Sequence, residues 1–424
     1  MADVQPLRAL HYDQSVTGPL GNVLSPPYDV IDPEQRGRLA ALSPYNVVNI
    51  DLPEPDEPGG DPYAAAARIL GQWRDSGAVV RDPQPAIWAL TQEYAGPDGV
   101  TRIRRGFLAR VRVEDYGPGR IRPHERTHPG PKEDRLRLTR ATQANLSPIF
   151  SLYSDPAGAA WAAIASHVTD APDGEQTDAD GTRNRLWRIA DPAALDAVAS
   201  ALAPAELLIA DGHHRYETAR VYADEIGGEG DHRYVLMQLV ALDDPGLTVF
   251  PTHRLINGLA GDEDRRGRLD AALHEAFEIT ELASTAELPP RQTDGLLELG
   301  YLDGSTGKAY RLTLRDQAIA DRALADFPAP YRRLDTAIVE ALILTGPLGL
   351  SEDDISHFRG LGYSRSDAEA VELVTAGSYD VAFFLPGATV AQIGEIAAAG
   401  VNMPPKSTFF TPKVPTGLIF NPLA

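Results

Sequence analysis

Leu207-Leu208-Ile209-Ala210 run without a break into Asp211-Gly212-His213-His214-Arg215, and a helical pattern follows from Tyr216 to Glu225. A short apolar run that ends in a glycine turn reads as a buried strand. After a Gly-rich turn, Tyr234 to Leu242 reads as another strand. This strand–loop–helix–strand unit constrains the fold more than any other stretch. Similar alternation recurs along the chain and argues an α/β fold, or an α+β fold with a mixed sheet.

The remaining segments extend the pattern. Val23 to Ile31 is expected to be extended around Pro26 and Pro27, and Asn46 to Leu52 reads as a strand between Pro44 and Pro53. Tyr63 to Asp75 has helical spacing with Gly77 as its stop. Ala86 to Tyr94 and Thr101 to Val113 read as strands joined by the turn at 96–99, and Ala171 to Thr182 reads as flexible. Leu247 to Leu255 reads as a strand, residues 260–330 as a helix–strand–hairpin layer, and Leu334 to Gly349 as a helix. Ser351 and Asp353 offer caps for a short helix, Asp380 to Leu385 a strand, and Val390 to Ala399 a helix. Met403 to Lys413 is a rigid, Pro- and Lys-rich loop. A chain of 424 residues suggests two or three domains.

Composition removes several function classes. There is no cysteine, which excludes disulfides, thiolate metal sites and cysteine nucleophiles. The formal net charge of −21 argues against nucleic acid and anionic membrane as partners. No apolar run reaches the ~18 residues of a membrane span, and the start Met1-Ala2-Asp3-Val4-Gln5-Pro6 has no signal-peptide character. A soluble cytoplasmic protein is expected.

Against that acidic background, Arg120 to Pro148 is a basic island. Within it, Pro123 makes Ile121 to His128 extended and places Glu125 among Arg122, His124 and Arg126. Those cations lower a carboxylate's pKa unless burial opposes them, and such a group suits a general base. A solvated charged loop is the alternative. Lys132, Arg135, Arg137 and Arg140 are spaced to line one helical face, either for phosphates or for pairing with the acidic remainder of the protein.

Asp211 to Arg215 is the strongest candidate for chemistry. The free N–H groups of a helix start, with His213, His214 and Arg215 beside them, form an anion site. Asp211 is placed to hold an imidazole in one tautomer or to reach a hydroxyl. The competing reading is an ordinary helix start with an aspartate cap and surface histidines. Lys406 and Lys413 are phosphate candidates, although the glycines of a Walker loop are missing around them. His213, His214 and His124 or His128 lack further ligands at a zinc spacing. The expected metal is Mg²⁺ carried on substrate phosphates, with Asp29 or Asp211 as oxygen ligands. No Gly-x-Ser-x-Gly elbow or dinucleotide fingerprint occurs, so neither a serine hydrolase nor a nicotinamide or flavin enzyme is expected.

PPYDV (26–30), SPYNVVNID (43–51), RPHERTHPGPKEDR (122–135), IADGHHRYETA (209–219) and MPPKSTFFTPKVPTGL (403–418) resemble, in order, the bacterial DUF1015 family. More distantly, the strand–DGHHR–helix is similar to the phosphate-binding motif of the ParB/sulfiredoxin superfamily. Within it, the free-serine kinases that use ADP or pyrophosphate are the nearest match. That resemblance implies a ParB/sulfiredoxin-like core at 116–260, an N-terminal α+β region at 1–115 and a C-terminal α/β region at 261–424. The motifs lie further apart here than in compact members, which implies an insertion near 155–200.

It also implies roles. Glu125 would be the base on a serine hydroxyl, and the donor phosphates would lie against Asp211, Gly212, His213, His214 and Arg215. His213, His214 and Arg215 would neutralise the transferred group. Arg122, Lys132, Arg135, Lys406 and Lys413 would be auxiliary phosphate contacts, and Tyr28, Asp29 and His124 would face the substrate. The expected partners are a small phosphate donor, whether pyrophosphate, ADP or ATP, and a hydroxyl acceptor. A non-catalytic sensor of a phosphometabolite or nucleotide, and a phosphatase working through the same groups, stay open.

Overall fold

The computed structural model describes residues 2–118, 120–124, 129–291, 295–356 and 359–424. They form two compact units, one of residues 1–247 with 412–424 and the other of residues 248–411.

The first unit is built on a mixed sheet. Its strands are β1 (Val4–Gln5), β2 (Ile87–Ala95), β3 (Thr101–Arg112), β4 (Ile121–Arg122), β5 (Ile149–Tyr153), β6 (Gly174–Thr177), β7 (Arg183–Ile189), β8 (Leu207–Asp211) and β9 (Tyr234–Ala241). Across the sheet they run β4–β8–β5–β9–β3–β2–β7–β6, with β1 against β3. The ladders β4–β8 and β5–β9 are parallel and the others antiparallel. Gly106 in β3 permits its close pairing, since a Cβ there would lie 2.6 Å from the carbonyl oxygen of Leu239.

Its main helices are α1 (Pro33–Leu42), α2 (Val48–Asp51), α3 (Pro62–Asp75), α4 (Pro129–Thr142), α5 (Pro192–Leu202) and α6 (His213–Ile226). Three of them begin with Asp-Pro. Asp32, Asp61 and Asp191 each accept a first-turn N–H, and the following proline occupies a position whose own N–H needs no partner. Phe107, Ile149, Leu207, Ile209, Tyr216, Met237 and Leu239 form the core between the sheet and α6.

Several expectations are corrected. Asn46 to Leu52 is not a strand. The Asn46 side chain accepts from Val48 N at 3.0 Å and donates to Asn22 O and Leu24 O, which turns the chain into α2. Residues 171–182 contain β6, which pairs with β7. Within residues 155–200, Arg183–Ile189 is a sheet strand as well, since β7 pairs with β2 over its whole length. The expected boundary near 115 cuts through this unit, because β2, β3, β5, β8 and β9 share one sheet, and the one near 260 falls inside the second unit, which begins at residue 248. Within the stretch Val23 to Ile31, Tyr28–Val30 is a 3-10 turn.

The second unit has β10 (His253–Ile256), β11 (Phe277–Glu281), β12 (Glu298–Asp303), β13 (Lys308–Leu314), β14 (Leu361–Ser364) and β15 (Val381–Phe384). They run β11–β13–β12–β15–β10–β14 and every ladder is antiparallel. This region is therefore α+β, where α/β was expected. Its helices include α7 (Glu263–Ala276), α8 (Asp367–Thr375) and α9 (Val390–Ala398). Leu255, Leu288, Leu302, Ala382 and Phe384 pack in its core. The helix expected from Leu334 is α-helical over Asp335–Val339 and a π-helix over Glu340–Thr345.

Residues 412–424 return to the first unit. Thr416 bridges Ser25, Phe420 bridges Leu10, and Asn421 pairs with Asn145. Among the described residues, no helix is long and apolar enough to cross a membrane.

Candidate functional site

β8 is buried from Leu207 to Ala210 and ends at Asp211. Its register against β5 shifts between Ile209 and Asp211, the kind of irregularity that re-aims a side chain at a strand end. Gly212 then takes φ 96° and ψ 28°, a left-handed conformation that disfavours any Cβ. A Cβ here would also meet Arg215 Nε at 2.9 Å. α6 starts at His213 with no side-chain cap on its first turn. Gly212 brings no side-chain acceptor to the first turn, where the positive end of the helix dipole lies.

Asp211 lies between two cations. Its Oδ1 is 3.3 Å from Lys413 Nζ and its Oδ2 is 3.2 Å from Arg215 Nη2. Burial by itself would raise this carboxyl, but Lys413 and Arg215 outweigh it and hold Asp211 well below the usual carboxylate range. Arg215 Nη1 also donates to Ser147 Oγ at 2.9 Å and to Pro148 O. Its Nε is buried with no partner among the described residues.

Lys413 is set from beneath. Gln92 Nε2 donates to Lys413 O at 3.1 Å, and Arg104 Nη2 donates to Pro412 O at 2.6 Å. Arg104 is wholly buried, donates to Gln92 Oε1 and lies 4.4 Å over the Phe150 ring. Burial lowers its pKa to about 10, so it stays charged at neutral pH.

Two histidines meet at the end of β8. His124 is wholly buried, and its Nδ1 donates to Ile209 O at 2.6 Å. Its backbone N–H donates to His213 Nε2 at 3.3 Å, and the two rings lie edge to face with centroids 4.8 Å apart. Burial, then the neighbouring His124, push the His213 pKa well below its ordinary value. His213 is therefore a neutral imidazole whose Nε2 accepts. It braces the His124 segment and is not a cation for a phosphoryl group, contrary to the charge-neutralising role expected for it.

A second cluster adjoins Arg215. Arg135 on α4 donates through Nη1 to Asp51 Oδ1 at 3.0 Å and Asp51 O at 2.8 Å, and its guanidinium lies 4.2 Å over the Tyr28 ring. Burial raises the Asp51 carboxyl, while Arg135 and Arg215 oppose that. Tyr28, Asp51, Arg135, Ser147 and Arg215 line a cavity of ≈ 40 Å³, room for roughly one water molecule.

The family model described as "Protein of unknown function (DUF1015)" matches residues 4–337. The chain belongs to the DUF1015 family. No curated protein matches the sequence. Among solved structures, a conserved hypothetical protein from Pyrococcus furiosus aligns at 15% identity and TM-score 0.35, over 70% of this chain and 92% of that one. A free serine kinase variant in complex with AMP aligns at 13% identity and TM-score 0.37, over 70% and 89%. SbnI with a C-terminal truncation, from Staphylococcus aureus, aligns at 11% identity and TM-score 0.35, over 73% and 87%. Likeness at this level assigns no activity to this DUF1015 chain.

The sequence-derived candidates divide. Asp211, Gly212, His213, Arg215 and Lys413 gather at the start of α6 with His124, and Tyr28 and Arg135 join them through Arg215. His214 is the half-buried second residue of α6. Arg122 is 3.1 Å from Glu206. Lys132 lies three residues before Arg135 on α4. Arg137 and Arg140 pair with Asp61 and Glu225, as the alternative reading of that helical face has it. Asp29 is exposed on the 3-10 turn. Lys406 belongs to the second unit. Glu125, with Arg126 and His128, lies outside the described residues.

Asp51, Ser147, Gln92 and Arg104 were missed. The available signal for Asp51 was a carboxylate closing the apolar SPYNVVNID run, where a strand has no use for one.

Proposed function

We propose that this protein is a small-molecule phosphotransferase, moving a phosphoryl group from pyrophosphate, ADP or ATP to the hydroxyl of free L-serine or a similar hydroxy metabolite. The observation that carries this reading is the pair of cations Arg215 and Lys413, which share Asp211 at the start of α6 behind a left-handed Gly212. Backbone N–H groups, a helix dipole and two cations in one place suit phosphate oxygens. Phosphoryl transfer asks mainly for positioning and charge neutralisation. The resemblance of the Pro-His-Glu and DGHHR motifs to those of free-serine kinases supports serine as the acceptor.

In this mechanism the donor phosphates exchange into the contacts that Arg215 and Lys413 make with Asp211. His124, pinned through Nδ1 to Ile209 O, fixes the chain one residue before Glu125. Glu125 takes the proton of the acceptor hydroxyl. That oxygen attacks the terminal phosphorus, and the P–O bond to the leaving phosphate breaks with its electron pair on the departing oxygen. The described residues gather no three metal-ligating side chains in one place. Asp211 shares both its oxygens with Arg215 and Lys413, and Asp29 is exposed on its 3-10 turn. Mg²⁺ is proposed to arrive on the donor phosphates, and no step is assigned to it.

The test is phosphorus NMR of the protein with L-serine, Mg²⁺ and each donor in turn. Phosphoserine is expected with at least one donor. Glu125→Gln should slow its formation by about 10²–10⁴-fold, the usual contribution of a general base, and leave donor binding in place. Donor binding without phosphoserine would overturn the reading and make the protein a non-catalytic binder. A Glu125→Gln variant as fast as wild type would remove Glu125 as the base.

A further inference from the structure

We propose that the second unit holds a binding site of its own, for a small zwitterion of the α-amino acid class, in the cavity beside Asp335. The cavity has a volume of ≈ 760 Å³, inside the range of about 300–1,000 Å³ usual for small-molecule sites. Asp335, Arg291, Arg333, Glu298, Gln317 and Gln392 contribute to its lining.

Asp335 is the first residue of the Asp335–Val339 helix and only 8% exposed. Among the described residues, neither a hydrogen bond nor an ion pair reaches its carboxyl, and burial accordingly raises its pKa. A buried carboxyl without a partner is costly to retain, which is a reason to look for the group it receives. Arg291 and Arg333 line the same cavity without an ion pair among the described residues. Both signs of charge thus face one space without neutralising each other.

The surrounding backbone is fixed and unusual. Thr336, next to Asp335, is hydrogen-bonded to Ser407 at 2.7 Å, and the helix continues as the π-helix Glu340–Thr345. Such segments are frequent at functional sites. An ammonium group brings three donors to Asp335, and a carboxylate suits a guanidinium fork. A free amino acid carries both.

This site is independent of the phosphotransferase reading. Its test is isothermal titration of each L-amino acid singly into wild-type protein, Asp335→Asn, Arg333→Ala and Asp211→Asn. At least one amino acid should bind wild type and Asp211→Asn alike, and bind Asp335→Asn and Arg333→Ala at least tenfold more weakly. Asp335→Asn keeps the shape of the side chain and should melt higher than wild type. If it does not fold, the exposed Arg333→Ala decides. The proposal is overturned if no amino acid binds or if binding is unchanged in both second-unit variants. Binding lost only in Asp211→Asn overturns it too, and would place the amino acid in the first unit.

Discussion

Asp211 and Asp335 are the same side chain in two different units, each largely buried and each set where a helix begins. Their electrostatics are opposite. Asp211 has Lys413 and Arg215 within 3.3 Å, and its carboxyl is held well down. Asp335 has no partner among the described residues, and burial pushes its carboxyl up to about 7. Burial disfavours the charged form at both positions, so the partners decide which aspartate stays ionised.

The comparison can be broken most strongly at Asp335. Its folded pKa lies above the unfolded value near 4, so folding takes up a proton between those limits. Its contribution to stability therefore falls as pH rises from about 4 to about 7, by roughly 4 kcal/mol in all. Asp335→Asn should remove that decline. It should raise stability at pH 8 by about 2–3 kcal/mol, after the cost of burying an unpaired amide, as read by urea unfolding at pH 5 and pH 8. Equal stability of the two proteins at pH 8 would mean that Asp335 has a partner after all.

Asp211→Asn should act in the other direction. It weakens the bonds to Lys413 and Arg215 and should cost about 2 kcal/mol at pH 7. The depressed carboxyl contributes stability above the unfolded pKa near 4 and loses it as pH falls further. Its acid profile is thus the mirror of that of Asp335, and thermal unfolding from pH 3 to 7 separates the two.

The smallest effect belongs to His213, which stays neutral when folded. Below its unfolded pKa near 6.5 the unfolded chain takes up a proton that the folded chain refuses. Stability should drop by about 1.4 kcal/mol per pH unit below that point, and His213→Gln should flatten the drop. An imidazole signal that titrates near 6.5 in the folded wild type and is missing from His213→Gln, by proton NMR, would count against a neutral, buried His213.

The first-unit site was legible where local chemistry dictates structure. A buried strand, a glycine that must be left-handed and a helix start are all written within residues 207–216. The same holds for the Asp-Pro helix starts and for the hairpin of β2 and β3. What escaped depends on partners distant in sequence. Asn46 turns its segment through bonds to Asn22 and Leu24, so Asp51 reached the site from a helix and not from the expected strand. Residues 174–177 become a strand because β7 is there to pair with them. Lys406 and Lys413 look alike in the sequence, yet the fold assigns them to different units. Asp335 carried no local signal at all, because a carboxylate's isolation is a property of the packed cavity.

The placement of Lys413 also bears on how the protein is made. Residues 412–424 complete the first unit but follow the whole of residues 248–411 in the chain. At about 5–20 residues per second, translation leaves a window of roughly 10–30 s between the first unit's earlier strands and the segment that finishes it. Through that window a nascent chain has Asp211, Gly212 and Arg215 but not the lysine that completes the cluster. A ribosome stalled anywhere within the second unit therefore presents a first unit whose Asp211 still lacks one of its two flanking cations.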